Sequence, residues 1–298
     1  MTKEALLSHL VIGTTTVCRA WALRRRDGVT LGFTDHDRDL VVDGVTCRAD
    51  SGMTARSLHQ TTGLSVDNTE AFGALSAAAI TEADLAAGRF DGAEVRVYLV
   101  NWQSPEDHVE QFRGRLGEIT RSAGSFKAEL RGISDQLNRP QGTAYTSRCS
   151  AVLGDRRCRF DLALPGYFVA RAVEAVEDGR VFRFPDLSGF GEHWFEDGRL
   201  EVQSGAAAGL VGVVKIDRNE DGGRRIELWQ SIGAPIVAGD SVRILAGCDK
   251  RPSTCRLKFA NFLNYRGFPH IPGEDWLASY PVPDRPNGGA RRVGGSDE

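Results

Sequence analysis

The chain has 298 residues, 41% hydrophobic and 26% charged, which suits two domains with real cores and excludes a disordered polymer. A formal net charge of -3 excludes a global basic field for nucleic acid or anionic lipid, and six cysteines are too sparse for a disulfide-stapled scaffold. No apolar run approaches the roughly 18 residues of a transmembrane helix, so no membrane span is expected.

Residues 3–10 predict a short amphipathic helix. Ser8 and His9 break the apolar run of MTKEALLSHLVIGTTTV and no small-residue cleavage site follows, so synthesis in a reducing cytoplasm is expected. From Thr15 the pattern turns to period two. Strands are predicted over 15–23 and 30–33, then a polar break TDHDRD, then a hairpin in VVDGVTCRA about Asp43-Gly44. Residues 71–88 predict helix, with Thr81 as N-cap three residues before Asp84 and Gly88 as the stop. DGAEVRVYLVNW alternates, and EQFRGRLGEITRS with GSFKAELRG predicts a meander turning near Ala123-Gly124. Residues 133–139 predict a short helix ended by Pro140.

A turn-rich segment follows, and then a second β region from 168 to about 245. VFRFPDL, RLEVQS, LVGVVKIDR, RRIELWQ and SVRILAG have strand character, with hairpin-like turns at 177–179, 197–198 and 221–223. Five or six short strands fit a small barrel or sandwich. Residues 254–265 predict a helix stopped by Gly267. The expected fold is mainly β with short helices and multidomain: small barrel- or sandwich-like β domains plus a C-terminal helix, joined at a four-cysteine centre. Its parts are a β-rich domain over 1–140, a linker with the first cysteine pair over 141–165, an inserted β domain over 166–246, the second pair and helix over 247–280, and a flexible tail over 281–298.

The strongest chemical signal is a pair of cysteine pairs. Cys149 and Cys158 form C-x8-C, Cys248 and Cys255 form C-x6-C, and the 89 residues between the pairs are nearly the whole second β region. If that region is inserted with its ends together, the four thiols meet at one point. Four cytoplasmic thiolates point to a metal centre, with unrelated core cysteines or disulfides as the competing readings. The gaps match neither the usual zinc knuckle nor the bacterial ferredoxin run, so spacing leaves zinc and iron–sulfur both open. Residues 148–160 and 248–258 are each net +3, which predicts lowered thiol pKa values. The rhythm Cys255, Phe259, Phe262, Arg266 predicts one helix face under the thiol. Cys18 and Cys47 lie in strand-like runs and read as packing residues.

Asp35, His36 and Asp37 form an acid–imidazole group that a turn explains as well. Glu192, His193, Glu196 and Asp197 resemble a hydrolase fragment without H-E-x-x-H order. The rigid loop over 267–273 fits packing or a contact with a partner.

GCDKRPSTCRLKFANFLNYRGFPHIPG (247–273), GFTDHDRDLVVDGV (32–45) and the pair Cys149/Cys158 resemble the baseplate hub proteins of gene transfer agents and siphophage-like prophages. These are distantly similar to the tail-tip protein of lambdoid phages that carries an iron–sulfur cluster. The resemblance covers most of the chain. It implies a structural virion component rather than an enzyme: a mainly β hub, made in the bacterial cytoplasm and built into the tail. There it forms a ring, as a homotrimer, between the distal tail protein and the central tail-tip or fibre protein, without direct nucleic-acid contact. It implies that Cys149, Cys158, Cys248 and Cys255 ligate a [4Fe-4S] cluster, and that Asp35, His36 and Asp37 are structural. The alternatives are the same hub stapled by zinc, an iron–sulfur redox protein, or a cell-envelope hydrolase using Glu192, Glu196 and Asp197.

Overall fold

The computed structural model describes residues 3–49, 54–55, 68–74, 80–122, 125–132, 142–185, 187–220 and 222–271. These residues are mainly β, with a few short helices. The chain divides into two units, one of 1–141 with 202–210 and 231–240, the other of 142–201, 211–230 and 241–298.

In the first unit, α1 (Lys3–Val11) precedes β1 (Val17–Arg24), β2 (Thr30–Thr34), β3 (Leu40–Val42), β4 (Val45–Arg48), β5 (Thr54–Ala55) and β6 (Asn68–Ala74). Then come α2 (Glu82–Ala86), β7 (Glu94–Asn101), β8 (His108–Ser122) and β9 (Ser125–Gly132). The nine strands form one sheet in the order β3-β4-β2-β1-β7-β8-β9-β6-β5. Pleating sends Trp21 and Leu23 of β1 into a core with Phe33, Phe90, Val95, Val97 and Leu130. Cys18, Ala20 and Ala22 point the other way, against Leu40, Val42, Cys47 and Tyr98. Both faces of β1 are thus covered, and Cys18 and Cys47 are core residues.

The Asp43-Gly44 hairpin forms as expected, both residues having positive φ (49° and 76°), the geometry a two-residue hairpin needs. Beyond it β4 runs parallel to β2, and a Cβ on Gly32 would run into the Thr46 carbonyl. The expected helix over 71–88 is corrected. Asn68–Ala74 is a strand paired along its length with β9, because a neighbouring ladder satisfies its backbone better than an isolated turn. Among the described residues of that stretch only Glu82–Ala86 is helical, with Thr81 Oγ1 accepting from Asp84 N at 3.1 Å and Gly88 at φ 68°. The expected helix over 133–139, the Ala123-Gly124 turn and the tail over 281–298 lie outside the described residues.

In the second unit, β10 (Phe168–Ala172), β11 (Ala175–Glu177), β12 (Val181–Phe184), β13 (Arg199–Val202), β14 (Val211–Glu220), β15 (Gly223–Leu228) and β16 (Ser241–Leu245) form a sheet ordered β10-β16-β13-β14-β15-β12-β11. Asp178 and Gly179 both take positive φ between β11 and β12. Asp197-Gly198 turns the chain into β13 but joins no hairpin, since β12 pairs with β15 and β11. Phe182, Phe184, Leu200, Ile226, Leu228 and Ile244 are buried around a fully buried ion pair, Arg224 Nε to Asp217 Oδ1 at 2.5 Å.

The topology decides where the cysteines go. β10, the first strand of this sheet, pairs antiparallel with β16, the last, Phe168 opposite Leu245. Ala246 N continues the pairing by donating to Tyr167 O at 2.8 Å. The chain before β10 and the chain after β16 therefore leave the sheet side by side.

Candidate metal centre

Cys149 and Cys158 sit in the turn-rich segment before β10, Cys248 follows β16, and Cys255 lies on α3 (Pro252–Leu257). The segments are laced together: Cys149 N donates to Lys250 O (2.9 Å), Ser150 N to Arg266 O (3.1 Å) and Lys250 Nζ to Ala151 O (2.7 Å). Cys158 is presented by a turn whose aspartate, Asp155, accepts from the backbone N–H groups of Val152, Arg157 and Cys158. Those donors, Cys158 N first, hold the Asp155 carboxyl below its usual range.

Gly247 brings Cys248 close to the preceding loop. Its N–H donates to Trp194 O at 3.0 Å, and a Cβ there would collide with the Glu196 carbonyl. Lys258 Nζ bridges the same strands, donating to Trp194 O (2.6 Å) and Gly247 O (2.9 Å) over the Trp194 ring. Its burial brings the ammonium pKa down to about 8.

The expected helix over 254–265 is also corrected. α3 ends at Leu257, and a 3-10 turn covers Phe262–Asn264. Between them Ala260 takes φ 47°, and Asn261 N closes on Cys255 O at 2.9 Å, a left-handed helix end. This break carries Asn261 back to the site, where its Nδ2 donates to Cys158 O (2.7 Å) and lies 3.5 Å from Cys158 Sγ. Phe259 is buried beside Cys255 as the predicted face requires, whereas Phe262 stacks on Tyr265 and lies under the Arg256 guanidinium.

The four thiols line one pocket together with Leu153, Lys250, Phe259, Asn261 and Asn264. All six cysteines are free thiols. Burial first, and then negative charge on Cys248, Cys149 and Cys158, pushes the Cys255 thiol up to about 11. Burial also raises the Cys248 thiol, against a backbone donor at Lys250. The lowering expected from flanking basic residues is therefore outweighed at these two thiols by desolvation. Among the described residues, no three His, Cys, Asp or Glu side chains are placed as the shell of a single metal ion. The donor set is all sulfur, with no carboxylate or imidazole in the pocket wall, which is the chemistry of zinc–thiolate and iron–sulfur sites. Backbone N–H of Arg266 (3.4 Å from Cys149 Sγ) and the Asn261 amide supply the sulfur-directed donors such sites use. Asn261 and Lys258 were not predicted; an asparagine late in a helical run is a stop signal, but its reach to Cys158 depends on the turn at Ala260.

The other candidates make local contacts. Asp35 Oδ1 accepts from Arg19 N (2.6 Å), His36 Nδ1 accepts from Arg38 N (3.0 Å), and Asp37 lies beside the imidazole. Glu196 Oε1 lies 2.8 Å from His193 Nδ1 and accepts from Asp217 N (3.3 Å), Asp197 occupies a positive-φ turn, and Glu192 is exposed. No helix among the described residues is long and apolar enough to cross a membrane.

Comparison with known proteins places this architecture. The family described as baseplate hub protein, N-terminal attachment domain, matches residues 3–161 and so takes in Cys149 and Cys158. The phage conserved hypothetical protein BR0599 family matches residues 193–275, which hold Cys248 and Cys255. A solved chain from the virion of a native gene transfer agent particle is 60% identical, with a TM-score of 0.90 over 97% of this chain and 99% of that one. No curated protein matches. With a match over more than half its length, the chain belongs to the baseplate hub protein family.

Proposed function

We propose that the chain is a structural hub in the baseplate of a gene transfer agent or related siphophage-like particle, joining the distal tail ring to the central tail-tip protein as a homotrimer. The observation that carries this reading is the 60% identity, over 97% of the chain, to a component of a gene transfer agent virion. The role is architectural and needs no turnover.

Cys149, Cys158, Cys248 and Cys255 hold a [4Fe-4S] cluster in this reading. Support comes from the all-thiol pocket, whose wall offers four sulfur donors and neither carboxylate nor imidazole. The cluster would add iron–thiolate bonds across two segments that are also joined by backbone and side-chain hydrogen bonds and by a layer of aromatic rings. Tyr167 contributes to that layer and donates its hydroxyl to Lys258 O at 2.8 Å. Full-length protein purified without oxygen should contain equimolar iron and sulfide and absorb in the visible. Cys255→Ala should lose the metal and lower the melting temperature. A Cys255→Ala protein with full metal content and unchanged melting would overturn the ligand assignment, and zinc without sulfide would replace the cluster by a zinc staple.

A further inference from the structure

On the second-unit sheet several arginines meet carboxylates: Arg180 with Glu227, Arg183 with Glu177 and Glu220, Arg224 with Asp217. Around the cysteine pocket, among the described residues, only Arg251 does, with Asp249 at 3.7 Å. Residues 142–160 and 248–271 hold nine arginines and lysines against two aspartates, in a chain of net charge -3. Both aspartates are engaged within the chain: Asp155 caps its own turn, and Asp249 accepts from Arg251 N at 3.0 Å and pairs with the Arg251 guanidinium at 3.7 Å. Among the described residues no carboxylate lies within ion-pair distance of Arg148, Arg156, Arg159, Arg256 or Arg266.

Apolar side chains stand among these charges. Leu257, next to Arg256, is 83% exposed, and Leu263 is 97% exposed. The Arg256 guanidinium lies 4.4 Å from the centroid of the Phe262 ring, which precedes Leu263. Unpaired guanidinium groups beside exposed leucines are the composition of a binding face, since arginine is enriched and lysine depleted at protein interfaces. The missing charge is negative and the missing surface is apolar. A nucleic acid offers the first, but its phosphates give leucine side chains nothing to pack on.

We propose that this arginine-and-leucine face docks an acidic protein segment carrying apolar side chains, contributed by a different polypeptide of the assembled particle. Carboxylates of that segment neutralise Arg148, Arg156, Arg256 and Arg266, and its apolar residues cover Leu257 and Leu263. The inference rests on the reading of the chain as a baseplate component and is independent of what the four thiols hold.

The test uses particles assembled with full-length chain in which Leu263 is replaced by photoreactive p-benzoylphenylalanine. After irradiation, the crosslinked peptide is identified by mass spectrometry. The expected product is a crosslink to another polypeptide, within a segment of net negative charge that contains apolar residues. The double variant Leu257→Ser, Leu263→Ser should lower the yield of active particles by about tenfold or more, while the purified variant keeps its melting temperature and metal content. A crosslink to nucleic acid, to a basic segment, to a second copy of this chain or to its own residues after Ile271 would overturn the proposal. So would full particle yield from the double variant. If the photoreactive chain and the unmodified chain are both missing from purified particles, the baseplate reading falls as well.

Discussion

Arg224 shows how far one residue can be read from its neighbours. It shares strand parity with Ile226 and Leu228, so the period-two pattern already turns it inward, but the pattern names no partner. Strand β14 supplies that partner. Asp217 takes both ends of the guanidinium fork, Phe190 O and Gly191 O accept two of its three remaining protons at 3.0 and 2.7 Å, and Phe195 N donates to Asp217 Oδ2 at 2.8 Å. The pair thereby shapes the loop whose Trp194 carbonyl receives Gly247 and Lys258. Arg224→Met would strand a buried carboxylate, at a cost of about 3–5 kcal/mol in urea unfolding. Adding Asp217→Leu should recover most of that loss, because a well-packed apolar pair removes the uncompensated charge. The four cysteines were legible for a different reason, since their grouping in two short spacings is a property of the sequence itself.

Among the elements, those governed by local chemistry were legible. The hairpin at Asp43-Gly44 needs two residues that tolerate positive φ, and α2 starts where Thr81 can cap it. Thr81→Ala should cost about 1 kcal/mol, read as a lower denaturant midpoint with unchanged slope. Elements governed by distant partners were not legible. Residues 71–74 carry a composition that permits helix, and β9 draws them into a strand. Residues 254–265 have helical periodicity throughout, yet the left-handed turn at Ala260 splits them, and the hydrogen bonds of Asn261 to Cys158 and Cys255 hold that turn in place. A non-glycine residue at positive φ costs of order 1 kcal/mol, which these contacts offset.

At the scale of the whole molecule, the two thiols buried in the first-unit core contribute to the response to alkali. Burial pushes Cys18 and Cys47 up to about 11 each. In the unfolded chain the same groups titrate near the ordinary thiol value of about 8.5. The folded state then holds protons that the unfolded state has lost, so their contribution to stability is complete below about pH 8.5 and declines as pH rises toward 11. Urea unfolding at a series of alkaline pH values should show this decline, and Cys18→Ala with Cys47→Ala should flatten it. An equal slope in wild type and double variant would contradict the burial of these thiols as ionisable groups.

The amino-acid sequence alone determined the β-rich class, most strand segments, the tight turns and the two cysteine pairs. These depend on periodicity, backbone tolerance and residue identity over a few positions. Only the tertiary structure decided that the four thiols share one pocket. That follows from the pairing of β10 with β16, two strands whose hydrogen bonds close across about the whole second β region and leave no local trace. The tertiary structure also reversed an expectation for two of those thiols: flanking basic residues predict easier ionisation, whereas burial at Cys248 and Cys255 raises their pKa because desolvation of a thiolate outweighs the flanking charges.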